Sequence, residues 1–178
     1  MWLLRDRIIY NIQMDRFTDL PSDMQIEALL RVPPQELHRL CQVMPWPICT
    51  KMALWKKHNS VWGGYIPPEY LPLFDLWGSV YERPTLNYLR YEYREFNEGA
   101  LPQPMRDSLT SPIYPPVFVL YFVDENDTRF YIEQDAPFTP LDIMNRIWYF
   151  YQTHPPPGHY FEGINSNGDG YYRIFLGT

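Results

Sequence analysis

The 178-residue sequence predicts an α+β fold, in which an N-terminal three-helix segment precedes an antiparallel sheet of ββαββ order. Apolar residues recur at helical spacing between residues 20 and 60. Two pairs of short apolar runs near the C-terminus each enclose a polar turn, which is typical of hairpins. Nineteen prolines, about twice the number in an average chain of this length, favour short elements joined at fixed corners. We therefore expect an N-terminal extension over 1–16, a helical segment over 17–60, a connecting region over 61–114 and the sheet over 115–178.

The helical segment is predicted from capping residues and proline positions. Ser22 with Gln25 three residues later forms an N-terminal capping pattern, and Pro33 ends this first helix. Pro34 suits the first turn of a second helix, and Pro47 opens a third in the same way. The predicted apolar faces consist of Met24, Ile26, Leu29 and Leu30, then Leu37, Leu40, Cys41 and Met44, then Ile48, Met52 and Leu54 or Trp55.

The connecting region is rich in proline and aromatic residues. Turns are expected at Gly63-Gly64, Pro67-Pro68 and Pro72, because the residue before a proline is driven away from helix. One helix is predicted over 84–98, and Gly99 ends it.

The C-terminal region has the clearest pattern. Apolar runs over 117–123 and 129–134 enclose a polar loop, which predicts a hairpin. Thr139 and Asp142 form a capping box around Pro140, so a helix should follow. A second hairpin is expected around the glycine-rich loop at 165–170, whose residues tolerate positive φ.

Charge and cysteine content set the expected surroundings. The net charge is −6 and the basic residues form no stripe, so we expect no nucleic-acid partner. Arg5, Asp6 and Arg7 interrupt the N-terminal apolar run, and no stretch reaches the ~18 apolar residues of a membrane span. We expect an intracellular, cytoplasmic protein without membrane contact, in which Cys41 and Cys49 are buried free thiols.

No motif in the chain specifies an enzyme, a cofactor or a metal site. The loop from Asn165 begins like an EF-hand, but Leu176 stands where a bidentate glutamate is required. The histidines are expected at the surface, with no evident nucleophile arranged beside them; they are His38, His58, His154 and His159. The carboxylates of Asp124, Glu125 and Asp127 are expected in a solvated loop rather than as an acid/base pair.

Residues 17–58 carry the one family-like pattern. It begins with Leu20-Pro21, breaks at Pro33-Pro34 and closes with Ile48-Cys49 and Leu54-Trp55. Between these landmarks the pattern consists of Met24, Ile26, Leu29, Leu30, Leu37, Leu40, Cys41 and Val43. In order and near-spacing it resembles the F-box, the adaptor-docking motif of cullin-RING ubiquitin ligases, in a variant similar to those of large DNA viruses.

The resemblance implies a non-enzymatic adaptor. A Skp-type subunit would bind the helices, and the aromatic C-terminal region would present an unknown protein target. By the same resemblance the partner-binding residues are Leu20, Pro21, Ile26, Leu29, Leu30, Leu37 and Leu40, and the protein would act in a cytoplasm, that of a host cell included.

An alternative remains open from periodicity alone. Leaving an apolar stripe in water forfeits about 1.5–3 kcal/mol for each large side chain, so either a partner or this chain covers the helices. If this chain covers them, the protein is a structural or self-associating one, for example a virion component, with these helices in its core.

Overall fold

The computed structural model describes residues 16–44, 46–89, 101–156, 158–166 and 170–177. The fold is mixed α+β, which confirms the predicted class. The helices are α1 (Ser22–Leu29), α2 (Pro34–Val43), α3 (Met52–Trp62), α4 (Gln103–Thr110) and α5 (Pro140–Thr153), with 3₁₀ helices at Pro47–Thr50 and Pro68–Leu76. The strands are β1 (Val119–Val123), β2 (Arg129–Glu133), β3 (Tyr160–Ser166) and β4 (Tyr171–Gly177).

The four strands form one sheet in the order β2-β1-β4-β3. Strands β1 and β2 pair as an antiparallel hairpin, as do β3 and β4. The prediction of an antiparallel sheet is wrong for the central pair, because β1 and β4 run parallel. Helix α5 is the connection that allows this: it leads the chain from the first hairpin to the second, and parallel neighbours require such a crossover.

The described residues contain two separate apolar cores. The larger belongs to the sheet body, residues 66–177, and includes Phe122 and Ile174 of the sheet and Ile143, Met144 and Ile147 of α5. The smaller belongs to the helical segment, residues 16–62. It consists of Phe17, Ile26, Leu29, Leu37, Cys41, Ile48, Cys49, Leu54 and Trp55, to which the sheet body contributes Phe118.

The two predicted caps have different outcomes. Thr139 and Asp142 form the predicted capping box at α5, with the Thr139 hydroxyl accepting from Asp142 N at 3.1 Å and the Asp142 carboxylate accepting from Thr139 N at 3.0 Å. The cap at Ser22 is wrong, since the helix begins there and Pro21 is the capping residue. The Gln25 side chain is buried, and its amide donates to Leu20 O, which precedes the helix, at 2.6 Å.

The connecting region differs from its prediction. Residues 68–76 form a 3₁₀ helix that contains Pro72, and α4 occupies residues 103–110; the sequence predicted neither. A helix was predicted over 84–98. Within the described part of this range, residues 84–89, the chain forms a turn at 86–88 instead of a helix, and the part from residue 90 lies outside the described residues.

Candidate protein-docking surfaces

The seven residues predicted to contact a partner divide into two groups. Ile26, Leu29 and Leu37 are buried in the core of the helical segment, so they are unavailable as surface contacts in this conformation. The spacing that makes an apolar stripe serves an internal core as well as a docking face. The other four retain accessible surface: Leu20, Leu30 and Leu40 are half-buried and Pro21 is exposed.

Helix α3 fastens the turn that follows α1. The Trp62 indole Nε1 donates to Leu30 O at 2.7 Å, and the His58 imidazole Nε2 lies 2.7 Å from Val32 O, to which it must donate because a carbonyl only accepts. These bonds satisfy two backbone carbonyls of the turn that follows α1. They explain how a short helix is held firmly at the surface of a small core.

A disulfide joins Cys41 of α2 to Cys49 of the first 3₁₀ helix, with 5.8 Å between the Cα atoms. The prediction of free thiols is therefore wrong. The intervening turn brings two buried cysteines together, and their separation of eight residues along the chain gave no sign of this contact.

The helical segment joins the sheet body through a short hydrogen-bonded seam. The buried side-chain Oδ1 of Asn59 accepts from Phe118 N at 2.7 Å, and Gly64 N donates to Val119 O at 2.6 Å. A Cβ atom on Gly64 would lie 2.4 Å from a Val117 methyl carbon, so only glycine fits this approach. The seam fixes the C-terminal end of α3 against the start of β1.

Accessible apolar side chains remain on the helical segment. Val43 is 74 % exposed and Met24 is 56 % exposed, and Met52 is exposed at the start of α3. Met24 shares α1 with the acidic Asp23 and Glu27. These side chains, with Pro21, are the apolar surface that this segment offers to another molecule.

A second accessible surface lies on the sheet. Tyr171, Tyr121 and Tyr131 stand side by side on the face opposite α5, in neighbouring strands β4, β1 and β2. Ring centroids are 5.7 Å apart between Tyr171 and Tyr121 and 6.2 Å apart between Tyr121 and Tyr131. We call these three residues the tyrosine row. The guanidinium of Arg129 lies 5.0 Å from the centre of the Tyr171 ring, a cation–π contact.

The acidic loop after β1 is structural. Asp124 is buried and accepts from Asn126 N at 2.9 Å and Thr128 N at 2.8 Å, which corrects its predicted solvation. Glu125 accepts from Leu176 N at 3.0 Å, and Asp127 pairs with Arg173 at 3.1 Å. The Asp124 carboxylate therefore shapes the loop itself, and the Glu125 and Asp127 carboxylates hold the loop onto β4.

The histidines divide between core and surface. His38 and His58 are buried, contrary to the prediction, whereas His154 and His159 are exposed as expected. Burial lowers the pKa of both His38 and His58 by desolvating the charged form. The Nδ1 atom of His58 is buried without a hydrogen-bond partner among the described residues. A proton there would be costly.

Metal-ligating side chains in the described part of the chain do not gather at one point. Among these residues no three His, Cys, Asp or Glu side chains cluster to hold a metal ion. Tyr151 and Tyr172 are buried, and desolvation raises the pKa of each well above the ordinary value. The Tyr172 hydroxyl accepts from Ile66 N at 2.6 Å, so it is a structural tie between the sheet and residue 66.

Comparison with protein-family models, curated proteins and solved structures finds no match to this chain. Within the described ranges, no helix combines the length and the apolar character needed to cross a membrane.

Sequence reasoning missed the tyrosine row and the seam. The row leaves a partial signal, because Tyr121 lies between the buried Leu120 and Phe122, and in β2 the exposed Arg129, Tyr131 and Glu133 alternate with the more buried Phe130 and Ile132. The strand order β2-β1-β4, which places the three tyrosine rings next to one another, cannot be recognised from the sequence pattern. Asn59 is one polar residue within a helix, and only its partner Phe118, 59 residues away, reveals its role.

Proposed function

We propose that this chain is a non-enzymatic protein-interaction adaptor, in which the helical segment docks a Skp-type subunit and the sheet body presents a protein target. The proposal depends on one observation: some residues of the F-box-like pattern are buried in the core of the helical segment, and the others keep accessible surface. Ile26, Leu29 and Leu37 build the segment's own core, while Leu20, Pro21, Leu30 and Leu40 keep surface for a partner.

The self-contained core supports a docking role. Apart from Phe118 and the partly buried Val119, the residues of that core all come from the helical segment. A module that folds around its own interior can bind a partner without opening the rest of the protein. The tyrosine row supports the second half of the proposal, since exposed tyrosine and arginine are the side chains that most often anchor protein interfaces.

Co-purification of the full chain with a Skp-type adaptor tests the proposal. Pro21→Asp and Leu40→Asp place a charge on the predicted contact surface, and we expect each to abolish retention of the adaptor while the protein stays folded. Val61→Asp is the matched control, because Val61 is 59 % exposed on α3 and belongs neither to the implied contact set nor to the accessible apolar surface described above. Leu29→Asp is unsuitable, since it buries a charge in the core and unfolds the segment.

Three results would contradict the proposal: no retention of the adaptor by the wild-type protein, retention by both surface variants, or equal loss in Val61→Asp. Circular dichroism of each variant separates lost binding from lost folding.

The second candidate is a structural or self-associating protein in which the helices serve only as core. Two observations favour it. Three of the implied contact residues are buried, and Cys41 and Cys49 form a disulfide. Disulfides are rare in the reducing cytosol, where the adaptor proposal places the chain. Under this candidate the wild-type protein retains no Skp-type adaptor and associates with itself.

A further inference from the structure

The two edge strands of the sheet, β3 and β2, differ in whether another segment of the described chain covers them. At the β3 edge, residues 78–80 cover the strand, with Phe161 N donating to Gly78 O at 2.7 Å and Val80 N donating to His159 O at 3.1 Å. At the β2 edge, no described residue pairs with the outer side of the strand. Tyr131 at the centre of that edge is 59 % exposed, and Arg129 and Glu133 are also exposed.

The hydrogen-bond register shows which backbone N–H and C=O groups of β2 point away from β1. Gln134 N donates to Phe118 O and Asp124 N donates to Thr128 O, at 3.1 Å each. In an antiparallel ladder, hydrogen-bonded pairs alternate with non-hydrogen-bonded ones. Phe130 and Ile132 therefore direct their backbone groups toward β1. The N–H and C=O groups of Arg129, Tyr131 and Glu133 point out of the sheet.

We propose that this edge, which no described residue covers, pairs with the same edge of a second copy of the chain, antiparallel and centred on Tyr131, so that two sheets join across a twofold axis. In this register Tyr131 faces its own copy, and Arg129 of each chain faces Glu133 of the other. The three outward residues form hydrogen-bonded pairs, which gives about six backbone hydrogen bonds. The contact is isologous and closes as a dimer.

Charge favours a second copy as the partner and disfavours one of the neighbouring registers. Exposed edge strands commonly carry charges that repel other strands. Here the two charges are opposite in sign and symmetric about Tyr131, so the edge is complementary to itself. Opposite charges directly across an antiparallel pair stabilise it, whereas like charges destabilise it. Moving the centre to Phe130 would place Glu133 against Asp127 of the other chain, which is repulsive.

Side chains on both faces continue across the proposed axis. On the outer face, the tyrosine row of one copy would meet that of the other at Tyr131, which makes one unbroken row. On the inner face, Phe130 is half-buried and stacks on the half-buried Phe150, with centroids 3.8 Å apart. Phe130 would face Ile132 of the second copy, and pairing would cover apolar surface that the monomer leaves at the edge.

Charge reversal tests the register. Sedimentation equilibrium of the full chain over a dilution series should show a monomer–dimer equilibrium. Arg129→Glu and Glu133→Arg each place like charges at both ends of the pairing, so each should raise the dissociation constant of the dimer by about tenfold or more. The double variant restores both pairs and should dimerise like the wild type. An equimolar mixture of the two single variants should form heterodimers, since one strand is then acidic and the other basic.

Arg39→Glu is the matched control, because it makes the same charge change at an exposed position of α2. It should leave the dissociation constant unchanged. Hydrogen exchange gives a second signature: amides 129, 131 and 133 should exchange more slowly as the protein concentration rises, while amides 130 and 132, already bonded to β1, should not change.

A wild-type protein that stays monomeric throughout the series overturns the inference. So does a dimer that the single variants leave intact, or one that neither the double variant nor the mixture restores. Each outcome is independent of the adaptor proposal, because Skp-type binding is read from residues 21 and 40 of the helical segment.

Discussion

The helical segment and the sheet body each bury apolar side chains in a core of their own, but the two cores differ in size. Among the described residues the sheet body gathers 23 buried side chains into its core, and the helical segment gathers 10, one of which, Phe118, comes from the residue before β1. A small core supplies little net stability, so small units commonly rely on covalent or polar supports. The helical segment has such supports in its disulfide, its two side-chain bonds to the end of α1 and its seam to β1.

The two parts of the molecule are therefore stabilised in different ways. The sheet body is held by its packing, whereas the helical segment depends on a few specific contacts. We therefore expect damage to the sheet core to unfold the whole chain, and damage to a support to loosen the helical segment alone.

Phe122→Ala should have the largest effect. Phe122 is fully buried, and its ring contacts those of Phe130 and Tyr172. Loss of a buried phenyl ring should lower the free energy of unfolding by about 3–5 kcal/mol, which urea denaturation followed by circular dichroism measures. The matched change Tyr131→Ala, on the exposed face of the same sheet, should cost far less. Similar costs for the two variants would contradict the packing assigned to Phe122.

Replacement of the disulfide should come next. Cys41→Ser with Cys49→Ser releases a loop of eight residues, which in the chain-entropy model lowers the free energy of unfolding by about 2.5 kcal/mol. Hydrogen exchange should accelerate in α1, α2 and α3 and stay unchanged in β1 and β4. Equal acceleration in both regions would mean that they unfold as one unit.

Asn59→Ala should weaken the seam. It leaves Phe118 N buried without its acceptor, which typically costs about 1–3 kcal/mol. Ser60→Ala is the control, since Ser60 is exposed and its hydroxyl bonds only to its own helix. We expect the Asn59 variant to show two separated thermal transitions by calorimetry, and a single transition of undiminished stability would contradict a role for the seam.

Acidification should have the smallest effect, and it acts on the helical segment. Burial lowers the pKa of His58 in the folded protein below its ordinary value of 6.5, so the folded state favours the neutral ring. The associated stability is fully present above pH 6.5 and is lost as the pH falls below it, because the unfolded chain then binds the proton more readily. The slope is at most about 1.4 kcal/mol per pH unit for each histidine.

The pH effect is checked by urea denaturation of the wild type and His58→Gln between pH 7.5 and pH 5. The variant should show the shallower decline, with the remaining slope due in part to His38, whose pKa is also lowered by burial. Equal slopes in the two proteins would exclude His58 as the titrating group.

The sequence was most informative where the structure depends on short-range interactions between residues that are close in the chain. A proline at the first helical turn correctly predicted the start of α2, and the Thr139–Asp142 capping box predicted the start of α5. Both depend on atoms within a few residues of each other. The 3₁₀ helix over 68–76 escaped prediction because Pro72 signals a break, although a 3₁₀ helix tolerates it here.

For the candidate docking surfaces the same limit applies. Spacing placed Ile26, Leu29 and Leu37 on apolar faces, but an apolar face is the same pattern whether a partner or the chain's own core covers it. The sequence by itself determined the α+β class, the apolar faces and the capping box of α5, since these follow from side-chain periodicity and short-range hydrogen bonds. The tertiary structure alone decided the parallel β1–β4 pair, the Cys41–Cys49 bond, the Asn59 seam and the outer edge of β2, along which no described residue pairs. Each of these depends on which segments of the chain become neighbours in space, a choice made by the packing of the whole molecule.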